Sequence, residues 1–182
     1  MFFLYNISSS NISKVQLITE ENRHTIGKES HEKGLPQKTE IKEYDQDIPE
    51  NNILHSIADD FVYPGTSISE IQFNAGGDTP EVIVPNGAIG ILVNQDSQGW
   101  NCIEGNKILW SFSKYPLNNN KAQAIAIGYI KDGVMYEPQI FQSELDVNYS
   151  YAVKESGLYY LYFMGASSDP ISIKKGVVQL IF

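Results

Sequence analysis

From Asn52 to Phe182 apolar residues alternate with polar or small ones at a spacing of two, and turn-forming residues break the pattern at short intervals. A spacing of two is the repeat of a pleated strand, whose successive side chains leave on opposite faces; an amphipathic helix needs 3.6. Ile108, Trp110 and Phe112 fall on one face of such a strand, opposite Leu109, Ser111 and Ser113. Ile125, Ile127 and Tyr129 do the same against Ala124, Ala126 and Gly128. The run Leu158 to Met164 is apolar on both faces, which marks a central strand.

Between these runs stand Pro85-Asn86-Gly87, Glu104-Gly105-Asn106, Lys131-Asp132-Gly133, Glu155-Ser156-Gly157 and Lys175-Gly176. Each offers a glycine for the positive φ of a tight reversal. The pattern predicts strands near 60–63, 69–73, 81–85, 88–94, 107–114, 122–130, 133–136, 148–154, 157–164, 169–174 and 176–182. That spacing reads as an all-β fold: an antiparallel two-sheet sandwich, jelly-roll-like, spanning residues 51–182. Residues 1–50 read instead as a flexible or extended N-terminal arm. Charge is concentrated there between Glu20 and Glu50, and Pro36 and Pro49 interrupt it, so a solvated linker is expected. Val15-Gln16-Leu17-Ile18 is the one part of the arm suited to pair at a sheet edge.

Composition narrows the functions open to such a chain. With 42% hydrophobic and 19% charged residues it has the makings of a packed core. A formal net charge of −9, with Arg23 as the one arginine, argues against a surface that tracks phosphates, so no nucleic-acid partner is expected. The longest strongly apolar stretch, Leu158 to Ala166, is far short of the roughly 20 residues of a spanning helix, so no membrane insertion by this chain is expected. Cys102 stands alone and has no intrachain disulfide partner, which leaves the compartment open. Met1 to Tyr5 is apolar but lacks the basic residue and longer apolar segment of a working signal peptide; it reads as a remnant or a sticky terminus.

Motifs for catalysis are thin. His24 and His31 fall in the arm, and His55 sits beside Asp59 and Asp60, where a solvated surface role is expected. No serine stands in a Gly-x-Ser-x-Gly context. His31-Glu32-Lys33-Gly34-Leu35 opens like a zinc helix but has Leu35 where the second histidine belongs. Cys102, between Trp100 and Glu104, reads as a structural thiol. Asn74-Ala75-Gly76-Gly77-Asp78-Thr79-Pro80 is glycine-rich, but no lysine follows and a strand comes next, so it is a wide loop and not a phosphate cradle. Calcium takes six to eight oxygens, while Asp78, Asp96, Asp132 and Asp169 are scattered over separate loops. The chain is therefore expected to be no enzyme and to hold no cofactor and no metal.

Binding is better served. Trp100 lies among Gln98, Gly99 and Asn101, and Tyr115, Tyr129 and Tyr136 lie near strand ends. Planar rings beside amides suit sugar stacking, and they equally suit ordinary core packing. The candidate ligand-binding residues are Asn74, Asp78, Trp100, Asn101, Tyr129 and Asp169, from loops 74–80, 95–102 and 166–170 expected at one end of the sandwich.

Gly99-Trp100, Ile125 to Gly133, Ser156 to Tyr162 and Ala166 to Ile171 together resemble the extracellular β-sandwich accessory domain attached to membrane metallopeptidases of the BlaR/MecR β-lactam-sensor type. The resemblance covers roughly residues 50 to 182. It implies an extracytoplasmic or secreted sensory or accessory domain, tethered by the charged 20–50 segment. That family's zinc helix is missing here, and no Ser-x-x-Lys motif appears with its partners, so neither proteolysis nor drug acylation carries over. The implied partner is a protein or a cell-envelope ligand, with carbohydrate as the alternative; the oligomeric state is open.

Overall fold

The alternating runs fold as strands. The computed structural model describes residues 14–27, 53–58, 61–62, 66–119 and 121–182. Its strands, in chain order, are β1 (Gln16–Leu17), β2 (Ser56–Ile57), β3 (Ile68–Gln72), β4 (Asp78–Thr79), β5 (Val82–Val84), β6 (Ile89–Val93), β7 (Trp100–Cys102), β8 (Lys107–Ser113), β9 (Ile125–Lys131), β10 (Val134–Met135), β11 (Gln139–Phe141), β12 (Asp146–Ala152), β13 (Gly157–Gly165), β14 (Ile171–Ile173) and β15 (Gly176–Ile181). One short 3-10 turn, Arg23–Thr25, is the helical element among the described residues. The fold is an all-β sandwich.

The larger sheet runs β2-β10-β9-β13-β6-β3, with β11 also on β9 and β7 also on β13; the smaller runs β12-β8-β15-β4. A third sheet, β1-β5-β14, closes one end. Trp110 of β8 reaches across to Phe163 of β13, ring centroids 5.5 Å apart, and packs on Phe112 at 4.4 Å. Ile125, Ile127, Leu161, Val147 and Tyr149 complete the layer between the sheets, as the alternation requires. Most pairings are antiparallel, but β3 runs parallel to β6 and β2 parallel to β10. A parallel neighbour needs a long crossover, and the β3-to-β6 connection supplies one by passing through β4 and β5 in the other two sheets.

β13 lies between β9 and β6, the central place its two apolar faces predict. Its outward Tyr160 and Tyr162 and the outward Ile130 form a second core with Ile89, Ile91 and Met135. Ile53, Leu54 and Phe61 cover that face, and Phe61 stacks on Tyr162 at 6.3 Å. Residues flanking β2 thus bury the outer face of the larger sheet.

The turn expectations divide. Asp132 and Gly133 have φ of 47° and 84°, the pair of positive values a two-residue hairpin loop demands, and they join β9 to β10. Gly87 and Gly105 are also left-handed. Gly157 and Gly176 are not; at Gly176 the requirement is space, because a Cβ there would lie 2.8 Å from the Phe112 Cβ.

Val15 to Ile18 docks as expected: β1 pairs with β5, and Val15 enters the main core. The described part of the arm, 14–27, is therefore packed on the sandwich. The expected linker lies mostly at 28–50, outside the described residues, as does the apolar Met1 to Tyr5 start.

Candidate functional site

The register of β13 decides which candidate residues meet. Trp100 pairs with Tyr159 on one side of β13 and Lys131 pairs with it on the other, so Trp100 and Tyr129 belong to the same end of the sandwich. Trp100 is half-buried against Phe73, ring centroids 5.7 Å apart at 58°. Gly99 is needed for this approach: a Cβ there would sit 2.3 Å from the Tyr159 carbonyl oxygen.

Two loops beside Trp100 are tied together by amides. Gln95 Nε2 donates to the carbonyl oxygens of Asn74 and Ala75 at 2.9 and 2.8 Å. Gln72 Nε2 donates to the Gln95 carbonyl at 2.8 Å and to Ser97 Oγ at 3.2 Å. Asn94 accepts the backbone N–H groups of Asp96 and Gln98, which holds the second loop in shape. Asn74 Nδ2 donates to Asp78 Oδ2 at 3.2 Å. That bond, with Lys175 at 3.4 Å, holds the Asp78 carboxyl below the usual carboxylate range against the opposing pull of burial.

On the other side of Tyr159 stands a tyrosine cluster. Tyr129 stacks on Tyr136 at 4.9 Å and 20°, and meets Tyr151 at 4.0 Å and Tyr159 at 5.8 Å. Burial, reinforced by the Tyr151 hydroxyl, raises the Tyr129 phenol well above its ordinary value. Tyr159 is fully buried and donates its hydroxyl to the Glu155 carbonyl at 2.8 Å. Lys131 borders the cluster and pairs with Asp132 at 2.9 Å and Glu155 at 3.1 Å; both carboxylates raise its ammonium pKa.

The loops expected at one end are therefore split between two. Asn74, Trp100 and Tyr129 lie on the Tyr159 side, and Asp78 bridges from Asn74 to Lys175, whose charge also reaches Glu81. Asn101 neighbours Trp100 but is exposed on the opposite face, because adjacent strand residues alternate. Asp169 follows Gly165, which is six residues and roughly 20 Å further along β13. There its carboxylate is buried against Lys121 at 3.1 Å, with Asn119 Nδ2 at 3.4 Å. Asn101 and Asp169 thus stand apart from the other four candidates, while Gln72, Gln95, Tyr136 and Tyr151 stand beside them. The Val147-Asn148-Tyr149-Ser150-Tyr151 alternation carried the signal for Tyr151; nothing local marked Gln95.

The residues weighed for chemistry have other places. Cys102 is buried, its thiol 3.6 Å from the Trp100 carbonyl, and burial pushes its pKa up. The ring of exposed His55 packs over Gly133, and the His55 backbone N–H donates to the Gly133 carbonyl at 2.7 Å. Among the described residues no three of His, Cys, Asp and Glu gather as metal ligands. Tyr115 lies far from the ring cluster and donates its hydroxyl to Glu81.

No family model matches the chain, and no curated protein matches it. Among solved structures it is similar to the pre-peptidase C-terminal domain of a collagenase from Bacillus anthracis, at 12% identity and a TM-score of 0.35. That alignment covers 63% of this chain and 96% of the other. A likeness of that size carries no argument; the architecture stands on the sheet registers. No helix among the described residues is long and apolar enough to cross a membrane.

Proposed function

We propose that this chain is a non-catalytic accessory β-sandwich that works outside the cytoplasm and binds a protein partner or cell-envelope ligand through the end that carries Trp100. The observation that supports it most is the amide lacing of loops 73–78 and 94–99 by Gln72 and Gln95, beside a half-buried Trp100–Phe73 pair. A half-buried ring, next to loops already held in place, offers apolar contact and hydrogen bonding at little ordering cost. The extracytoplasmic and sensory parts of the proposal rest on the sequence resemblance.

The test is titration of the 15N-labelled chain with soluble peptidoglycan fragments. Amides of 74–78 and 94–100 should shift, and Trp100→Ala should abolish the shifts while leaving the unfolding midpoint nearly unchanged. If Trp100→Ala instead costs the roughly 3–5 kcal/mol of a fully buried Trp truncation, the residue is core and the site fails. A second reading, carbohydrate binding, is favoured by the half-buried Tyr129–Tyr136 stack. Under it a chito-oligosaccharide binds the wild type, and Tyr136→Ala, not Trp100→Ala, removes the binding.

A further inference from the structure

The opposite end of the sandwich carries an arrangement independent of that reading. β5 lies between β14 and β1, so the edge it turns away from the body of the fold is covered by the N-terminal segment. The covering is thin. Gln16 pairs with Ile83 and Leu17 with Val82, and the Ile18 N–H donates to the Glu81 carbonyl at 2.8 Å. Gln16 and Leu17 are exposed, and of the segment's apolar side chains Val15 is the one that enters the main core, beside Val82 and Val84. Eight residues on, Arg23 Nη2 donates to Glu81 Oε2 at 2.7 Å, and Nη1 lies 3.5 Å from the Tyr115 hydroxyl. Tyr115 in turn donates to the other Glu81 oxygen. A side-chain turn, with Thr19 N–H on Asn22 Oδ1 at 2.8 Å and Asn22 Nδ2 on the Leu17 carbonyl at 2.9 Å, brings the arginine back to the sheet.

We propose that the edge of β5 is a strand-acceptor site for an extended peptide carrying a β-branched aliphatic residue and, eight residues further on, a guanidinium, and that residues 14–27 occupy it as a displaceable strap. A strand edge offers unpaired N–H and C=O groups to any extended segment, so the backbone supplies affinity while the side-chain sockets supply selection. Here the sockets are the Val15 position in the core and the Glu81–Tyr115 pair. Glu81 offers two carboxylate oxygens in a chain of net charge −9, which suits a cationic partner. The covering segment shows the chemistry the acceptor takes. A tethered occupant competes at an effective concentration on the order of millimolar, so a free peptide with the same contacts is excluded until the strap is weakened.

The test uses the full chain and a fluorescein-labelled synthetic peptide of residues 14–27, read by anisotropy. Arg23→Ala and Val15→Ala in the protein should each raise affinity for the peptide by about tenfold or more over wild type, because apparent affinity follows the fraction of open acceptor sites. The Val82–Val84 amides should shift on binding, and a peptide carrying Val15→Asp should not bind. Equal or absent binding by wild type and both variants overturns the proposal, as does equal binding of a scrambled peptide. Collapse of both variants to unfolded chains, seen by near-ultraviolet circular dichroism, also overturns it, because the segment is then an integral part of the core.

Discussion

The two ends of this sandwich are closed by opposite means. At the Tyr159 end, rings from three strands and one connection meet: Tyr129, Tyr136, Tyr151 and Tyr159. At the Glu81 end, a short strand and a set of charged or polar contacts do the closing, through Arg23–Glu81, Lys121–Asp169 and the buried Lys114, whose ammonium donates to the Gln123 carbonyl at 2.5 Å. Ring packing buries apolar surface continuous with the core, so that end opens only when the whole domain does. Contacts at a half-exposed arginine are weak and screened, so under the proposal above the 14–27 strap, and not the β5–β14 pair beneath it, opens by itself.

The largest effect expected from that contrast is at Tyr159. Tyr159→Ala should cost about 3–5 kcal/mol of global stability in urea denaturation, as for other large buried aromatics; a loss below about 1 kcal/mol would mean the cluster lies outside the cooperative core. Val15→Ala should cost about 1.5 kcal/mol from lost apolar burial. Its signature is an Ile18 amide that exchanges through a local opening insensitive to urea while the Leu161 amide exchanges only by urea-sensitive global unfolding. The same urea dependence at both amides would erase the distinction between the ends.

Acid should act on the Glu81 end first. Burial pushes the Glu81 carboxyl up, but the hydrogen bonds from Tyr115 and Arg23, with the charges of Arg23 and Lys175, outweigh it and hold the group below its ordinary range. A carboxylate depressed in the fold contributes stability above its unfolded pKa, about 4.3 for Glu, and loses it as pH falls through the folded value. Glu20, 3.8 Å from Arg23, and Lys174, over the Tyr115 ring at 5.1 Å, also face this cluster and will modulate the midpoint. Protection of the Ile18 amide should therefore fall below about pH 4 while the β13 amides persist, and Glu81→Gln should remove that acid step. Least of all, Ile103→Ser, on a side chain 66% exposed near the ring-packed end, should change stability by no more than about 0.5 kcal/mol; a larger cost would extend the cooperative core into that loop.

Much of this was readable along the chain. Ile108, Trp110 and Phe112 face inward as their spacing requires, β13 is central because both its faces are apolar, and Asp132-Gly133 turns the chain as such pairs do. The shorter strands β4, β7 and β11 were not readable, because two or three residues carry no period and exist only where a longer neighbour pairs with them. The candidate site was half legible. Trp100 and Tyr129 were marked by residue type, but their nearness came from the shared pairing with β13, and Asp169 went to the far end by the same register.

Local covalent sequence therefore settles the pleat, the inward and outward faces and the reversals, because each depends on a residue and its immediate neighbours. Which loops share an end, and that Arg23, Glu81 and Tyr115 form one cluster across 58 and 34 positions of chain, follows from strand order and register. Those are fixed by the joint packing of all the apolar faces at once, a long-range condition that no single stretch of residues expresses.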